Sequence, residues 1–205
     1  MKNERVYREV FVNNTIRIVA SEGFEGASTR AIAGERGEVG QVKLNDVHIY
    51  RVFGTKEKLF AETFSMLDNE LVATIESSLS DFEEGMAFGE RCKVVFMDMW
   101  RFLLKNESKC RYYTRYYYSV YFKDDVYQAH MKKYERLMDL LTPSFVENAD
   151  VWSLFHHVIT VMLDFAIRVY SGAIEDTDNN AGHIFTVVYS SIAPYLTMKE
   201  NCDIL

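Results

Sequence analysis

Four groups of side chains in this sequence have types and spacings that could do chemistry or hold a ligand. His156 and His157 with Asp164 are the residue types of metal binding or acid–base catalysis. Neighbouring residues on a helix point about 100° apart, so adjacent imidazoles do not readily share one ion, and the ordinary reading is one packed and one polar. Asp81, Glu83 and Glu84 read as a solvated loop. From Arg111 to Phe122 there are six tyrosines in ten residues, which on a helix puts phenols on every face. Some must pack in a core or interface, and others suit a cavity whose apolar walls carry orienting hydroxyls. Base stacking is disfavoured, because only Arg111 and Arg115 in this run are basic. The last group pairs hydroxyls with cations, Ser28-Thr29-Arg30 and Thr55-Lys56, on either side of Asn45-Asp46-Val47-His48-Ile49-Tyr50-Arg51. Hydroxyls of this kind cap helices, and a helix N-terminus beside a cation is a phosphate-binding arrangement. Phosphate loop, dinucleotide fingerprint, nucleophile elbow and metal-binding repeat are all missing. Cys92, Cys110 and Cys202 have no paired spacing, so neither a disulfide framework nor a zinc site is expected, and no cofactor or metal.

The elements that must position these residues are helical, and no run of alternating residues looks like a sheet. A first helix is predicted over Glu4 to Ser21, with Val6, Val10, Phe11, Thr15, Ile16 and Val19 inward, Gly23 as its stop and Phe24 packing under the turn. Ser28 caps a short helix, Thr29 to Arg36. The glycine-containing stretch Gly37 to Lys43 leads to another short helix from Asn45 to Phe53, which Gly54 ends. Thr55 caps a long helix from Lys56 to Phe82, roughly 40 Å at 1.5 Å per residue, on which Phe60, Phe64, Leu67, Leu71, Ile75, Leu79 and Phe82 recur every three or four positions. Further helices are predicted over Glu90–Lys105, Ser108–Phe122, Asp125–Leu141, Asp150–Ser171 and Asn179–Leu196. Short helix, turn, short helix after a first helix is the layout that holds one helix in the DNA major groove.

Charge supports a division of labour. The whole chain carries −7, yet residues 1–60 hold ten Lys/Arg and eight Asp/Glu, net +2, while residues 61–205 hold thirteen and twenty-two, net −9. A mildly basic head on an acidic body can still bind phosphates through the head. Composition is 48% apolar with two prolines, enough for a packed core and too few prolines for a linker-rich chain. The most apolar segment, Val151 to Tyr170, carries His156, His157, Asp164 and Arg168 and reads as a buried or dimer-forming helix, not a membrane span. With a polar, charged opening and no signal-type stretch, a reducing cytoplasm is the default location.

The run Gly23-Phe24-Glu25-Gly26-Ala27-Ser28-Thr29-Arg30-Ala31-Ile32-Ala33, followed by Ile49-Tyr50-Arg51-Val52-Phe53-Gly54-Thr55-Lys56-Glu57-Lys58-Leu59-Phe60, resembles the signature of the TetR/AcrR family of transcriptional regulators. The resemblance covers about residues 11–60. It implies an all-α fold: a three-helix helix-turn-helix domain, residues 1–58, joined by a long helix to an effector-binding and dimerisation domain, residues 59–205. It further implies that Ser28 and Arg30 meet backbone phosphate with Thr29 at the helix start, that Tyr50 and Lys56 contact phosphate, and that Val47 and His48 face bases. Asn45, Arg51 and Thr55 complete the expected DNA-contacting set. Two departures stand out: Ile32 and Tyr50 lie eighteen apart, about six residues more than the family pattern, and Val52 replaces its usual aromatic or histidine.

The expected protein is a homodimeric regulator, a repressor by family habit, that binds an inverted-repeat operator in double-stranded DNA and is released by a small apolar or aromatic effector. Phe96, Trp100, Tyr113, Tyr116, Tyr117, His157 and Asp164 are the residues expected to line the effector site. Two alternatives compete: a small-molecule helical-bundle enzyme, which would need a convergent acid–base pair, and a TetR-like protein acting through protein partners.

Overall fold

The computed structural model describes residues 2–34, 38–39, 42–79 and 85–197. Helices follow one another as α1 (Lys2–Gly26), α2 (Thr29–Gly34), α3 (Asp46–Phe53), α4 (Lys56–Leu79), α5 (Phe88–Lys105), α6 (Glu107–Tyr117), α7 (Asp124–Leu141), α8 (Val151–Tyr170) and α9 (Asp178–Ile192), with 3-10 turns at Thr142–Ser144 and Ala193–Tyr195. Between α2 and α3, strands β1 (Glu38–Val39) and β2 (Val42–Lys43) form an antiparallel hairpin pairing Glu38 with Lys43 and Val39 with Val42. The expectation of no sheet is corrected here: the extra residues between Ile32 and Tyr50 contain this hairpin. Strands of two residues are too short for alternation to show. Gly37, Gly40 and Gln41 of that stretch, the acidic run Asp81, Glu83 and Glu84, and Cys202 lie outside the described residues.

Two compact units divide the chain: Met1–Asn69 with Ser108–His130, and Glu70–Glu107 with Met131–Leu205. In the first, α1, α2 and α3 pack on one another around Phe11, Val19, Ile32, Ile49 and Phe53, all at most 4% exposed. Gly23 breaks the helical course of α1 at φ 80, ψ −176, a conformation a side chain would strain. That break delivers the Phe24 ring to Phe60 at 5.0 Å and Tyr121 at 4.9 Å. Gly54, at φ 81, closes α3 by donating its N–H to the Tyr50 carbonyl at 2.9 Å. Asn14 Nδ2 donates to the Ile32 carbonyl at 2.8 Å, fixing α1 against the end of α2.

In the second unit, α5, α8 and α9 pack together. Phe88, Tyr189, Ile192 and Leu196 form a buried cluster extended by Phe145, Leu154 and Phe185. Residues 145 and 196 bridge in antiparallel fashion, and the Val146 N–H reaches the Tyr195 carbonyl at 2.9 Å. Asp150 caps α8, accepting from the Ser153 hydroxyl at 2.6 Å and its N–H at 3.1 Å; these hydrogen bonds hold its carboxyl below the ordinary range. Most helix bounds match the sequence reading to within two residues. The larger departures are four: α1 runs on to Gly26 past the break at Gly23, α4 is described to Leu79 while Phe82 lies outside the described residues, α6 stops at Tyr117, where Ser119 accepts and donates locally in a turn, and α9 stops at Ile192 because Pro194 enforces a 3-10 turn.

Candidate nucleic-acid interface and ligand cavity

All ten expected DNA-contacting residues lie in the first unit, at or beside three helix starts and along α3. Ser28 is exposed and its Oγ accepts from the Ala31 N–H at 3.1 Å, capping α2 and placing Thr29 and exposed Arg30 in its first turn. Thr55 does the same for α4, accepting from the Lys58 N–H at 3.1 Å. Lys56 follows it, half-buried, with its ammonium 5.5 Å from the centre of the Phe60 ring. A lysine held this way lays its stem on apolar surface and keeps its charge at the helix start.

The start of α3 is a capping box. Asn45 Oδ1 accepts from the His48 N–H at 3.3 Å, and His48 Nδ1 lies 3.3 Å from the Asn45 N–H and 2.8 Å from Asn45 Oδ1. Nδ1 can accept from that N–H or donate to that oxygen, one at a time. The His48 ring also stands edge-on to Tyr7 at 5.5 Å, so it is half-buried and tied to the cap. Val47, by contrast, is 66% exposed and Tyr50 51%, with Arg51 exposed beside them. Asp46 turns back, accepting from the Val47 N–H at 3.0 Å.

The tyrosines of α6 form a packed cluster within the same unit. Tyr112 Oη donates to the Phe60 carbonyl at 2.9 Å and Tyr116 Oη to the Tyr121 carbonyl at 3.1 Å. Tyr113 and Tyr116 stack on Phe64 at 4.8 and 4.7 Å. Burial pushes the phenols up, Tyr112 well above the usual value with Tyr116 adding to it, and Tyr116 to about 12 with Asp125 adding to it. Tyr117 is also raised by burial, with smaller pushes from Tyr118, Tyr127 and Asp68. Tyr113 Oη donates to Asp68 Oδ1 at 3.2 Å, and His130 Nδ1 lies 3.0 Å from both oxygens of that fully buried carboxylate. Sequence reasoning passed over Asp68 and His130. The available signal was a carboxylate one turn after Phe64 on the stripe that also carries Leu67 and Leu71.

The second unit contains a cavity of about 380 Å³, walled by the end of α4, α5, the end of α7, α8 and α9. Of the expected effector-site residues, Phe96 lines it. Trp100 is buried next to Phe96, its ring stacked at 6.1 Å and 9°, and does not line the cavity. Tyr113, Tyr116 and Tyr117 belong to the first unit. His157 and Asp164 are exposed on α8, where Asp164 pairs with Arg168 at 2.7 Å. Residues the sequence reading did not name, among them Ile75, Arg91, Leu137, Leu154 and Tyr189, supply the wall instead.

No family model matches the sequence, and no curated protein does. Solved structures do match over nearly the whole chain. A TetR family transcription regulator from Marinobacter aquaeolei VT8 superposes with a TM-score of 0.77 at 18% identity, covering 93% of this chain and 97% of its own. A TetR-like transcriptional regulator from Rhodococcus sp. RHA1 gives 0.64 at 18%, covering 92% and 96%. A TetR-family regulator from Haemophilus influenzae RD gives 0.60 at 18%, covering 93% and 98%. The fold is that of TetR-family regulators. Within that fold α2 and α3 are the two short helices expected from the sequence, with the hairpin between them.

Proposed function

We propose that the protein is a DNA-binding transcriptional regulator that works as a homodimer, reads an inverted repeat through α3, and lets go when a small molecule fills the cavity of its second unit. The observation that carries this reading is the exposure of Val47, Tyr50 and Arg51 along a capped α3 that is flanked by the capped starts of α2 and α4. Three helix N-termini present N–H groups and partial positive charge for phosphates on both sides of one groove. The local charge agrees, since the first sixty residues are net positive in a chain of −7.

Ligand control follows from α4. It is one continuous helix from Lys56 to Leu79, with a phosphate-facing first turn and with Ile75 and Leu79 in the cavity wall. A ligand preferring one tilt of that helix shifts the population between DNA-competent and DNA-incompetent heads. Repression is the simplest outcome of such release, and the cytoplasm is where both operator and effector would be met.

The test is a fluorescence-anisotropy titration with DNA flanking the protein's own gene, against an unrelated fragment of equal length, at several salt concentrations. Tighter binding to one fragment, with footprint protection of an inverted repeat, is expected. Equal affinity for both fragments at every salt concentration would refute the reading.

A further inference from the structure

Resting on the effector role just proposed, we infer that the cavity of the second unit takes an uncharged aromatic compound the size of two fused rings. No Asp, Glu or His is among the described residues that line it, and Arg91 is the single charged residue among them. The Arg91 guanidinium lies 5.5 Å from the centre of the Phe88 ring, itself part of the wall, so that charge is already engaged within the protein. An ionised group taken from water into apolar surroundings is costly unless a counter-charge meets it there. A cationic ligand would find no carboxylate in this wall and would share its sign with Arg91. An anionic ligand would have to draw Arg91 from contacts it already makes. A neutral ligand meets neither obstacle.

The wall also selects the kind of neutral body. Six of the twenty-three lining residues are aromatic, where the 14% share in the whole chain would supply about three, so rings are concentrated here. Phe96 of α5 meets Phe185 of α9 at 5.4 Å and 59°, and Phe185 stacks on Tyr189 at 5.5 Å and 27°. Phe88 meets Phe145 edge-on at 6.4 Å. The lining rings are thus set at several angles to one another, and an aromatic ligand can meet them by stacking and by edge contact, beyond what its buried area supplies. Met99 and Met162 add thioethers, which also favour ring edges. Unlike the tyrosine-oriented site expected from the sequence, this wall offers rings and hydrocarbon in place of converging polar groups.

Size sets the number of rings. At about 30 Å³ per small group, the value for a water molecule, 380 Å³ admits about a dozen non-hydrogen atoms. The compound 2-naphthalenemethanol has that number and is the probe of choice. Its counterparts on the same rings are cationic 2-naphthylmethylammonium and anionic 2-naphthoate, and decahydro-2-naphthalenemethanol is the saturated analogue.

Binding is measured on the full-length protein without DNA, by calorimetry and by the rise in melting temperature. The neutral naphthalene is expected to bind at least about tenfold tighter than either charged counterpart. It should also bind roughly two- to tenfold tighter than the saturated analogue. Location is read in the unaltered protein from isotope-labelled methionine methyls: ring currents of the bound probe should shift the Met99 and Met162 signals. Val158→Trp, which takes space from the cavity, should lower affinity at least about tenfold with helical circular dichroism retained. Equal or tighter binding of either charged counterpart would overturn the uncharged ligand, and equal or tighter binding of the saturated analogue the aromatic one. Unmoved Met99 and Met162 methyls at saturating probe would overturn the location. Failure of all these compounds to bind at their solubility limits would overturn the whole inference. Binding that shows the expected differences but leaves DNA affinity unaltered would uphold the ligand class and refute the effector role.

Discussion

At the scale of single residues, α3 separates side chains that stand clear of the fold from side chains that hold it. Val47 is 66% exposed and none of its side-chain atoms is needed to build the helix, so it is free to meet a thymine methyl in the groove. His48, next to it, closes the capping box and packs its ring on Tyr7. Replacing each by alanine therefore has different consequences. Val47→Ala is expected to weaken operator binding severalfold, confined to one or two base positions, with the melting temperature unchanged. His48→Ala is expected to cost about 1 kcal/mol of stability, the worth of a cap, alongside any loss in DNA affinity. Thermal melts and competition with single-base operator variants separate the two; a destabilised Val47→Ala would show that the assignment is reversed. Lys56 behaves as a third kind. Its ammonium lies over the Phe60 ring at a helix start that Thr55 caps, a position suited to backbone phosphate and not to bases. Lys56→Ala should weaken binding to operator and random DNA by the same factor and reduce the slope of log K against log salt by about one. An unchanged slope would remove Lys56 from the interface.

Among the elements, α6 shows how burial converts sequence oddity into stability. Tyr112 and Tyr116 donate to backbone carbonyls from buried positions, and their ionised forms would be charged, acceptor-only and desolvated. Both folded-state pKa values are raised above the unfolded value near 10, Tyr116 to about 12. A raised pKa gives stability that is complete below the unfolded value and lost as pH climbs through the folded one. For Tyr116 the loss should run from about pH 10 to 12 and reach roughly 2–3 kcal/mol, with Tyr112 adding to it. Urea titrations at pH 9 and pH 11.5 should show that fall, and Tyr116→Phe should flatten it; an undiminished fall in the variant would place the alkaline sensitivity elsewhere. These elements also show what sequence can carry. The short capped helices were legible because Ser28, Asn45, Thr55 and the glycines at 23 and 54 act locally, on the backbone within a turn of themselves. The hairpin between α2 and α3 was not, since two-residue strands carry no periodicity. Nor was the cavity: its wall comes from α4, α5, α7, α8 and α9, and which faces of five helices converge depends on tertiary packing that amphipathic patterns leave open. The tyrosines drew attention as pocket residues for the same reason, since phenols on every face look alike until neighbours such as Phe24, Phe60 and Phe64 are placed against them.

For the whole molecule, the question is which surface a second copy of the chain would cover. Among the described residues, α8 is the one helix long and apolar enough to cross a membrane, yet its exposed residues, Ser153, His156, His157, Asp164 and Arg168, are all polar. Its outer stripe runs His157, Val161, Asp164 and Arg168 at spacings of four, three and four, placing Val161 among polar groups. The outer stripe of α9 is built alike, His183, Val187 and Ser190, with Val187 42% exposed. Polar residues in the midst of each stripe suit a face covered by protein with its own hydrogen-bonding groups better than one covered by lipid. A two-fold dimer through α8 and α9 would bury both stripes against their symmetry mates, and any substitution there acts twice. Val187→Glu introduces two like charges into that interface, where separation relieves both desolvation and repulsion. The unaltered protein should scatter light as twice 23.9 kDa at micromolar concentration, and Val187→Glu as a single chain with its helical circular dichroism retained. Operator affinity should then drop by about 10²–10⁴, the advantage of tethering two heads, while each head keeps its weak, salt-sensitive grip on DNA. A Val187→Glu protein that keeps the dimer mass and full operator affinity would rule out the α8–α9 interface and turn attention to other faces of the second unit.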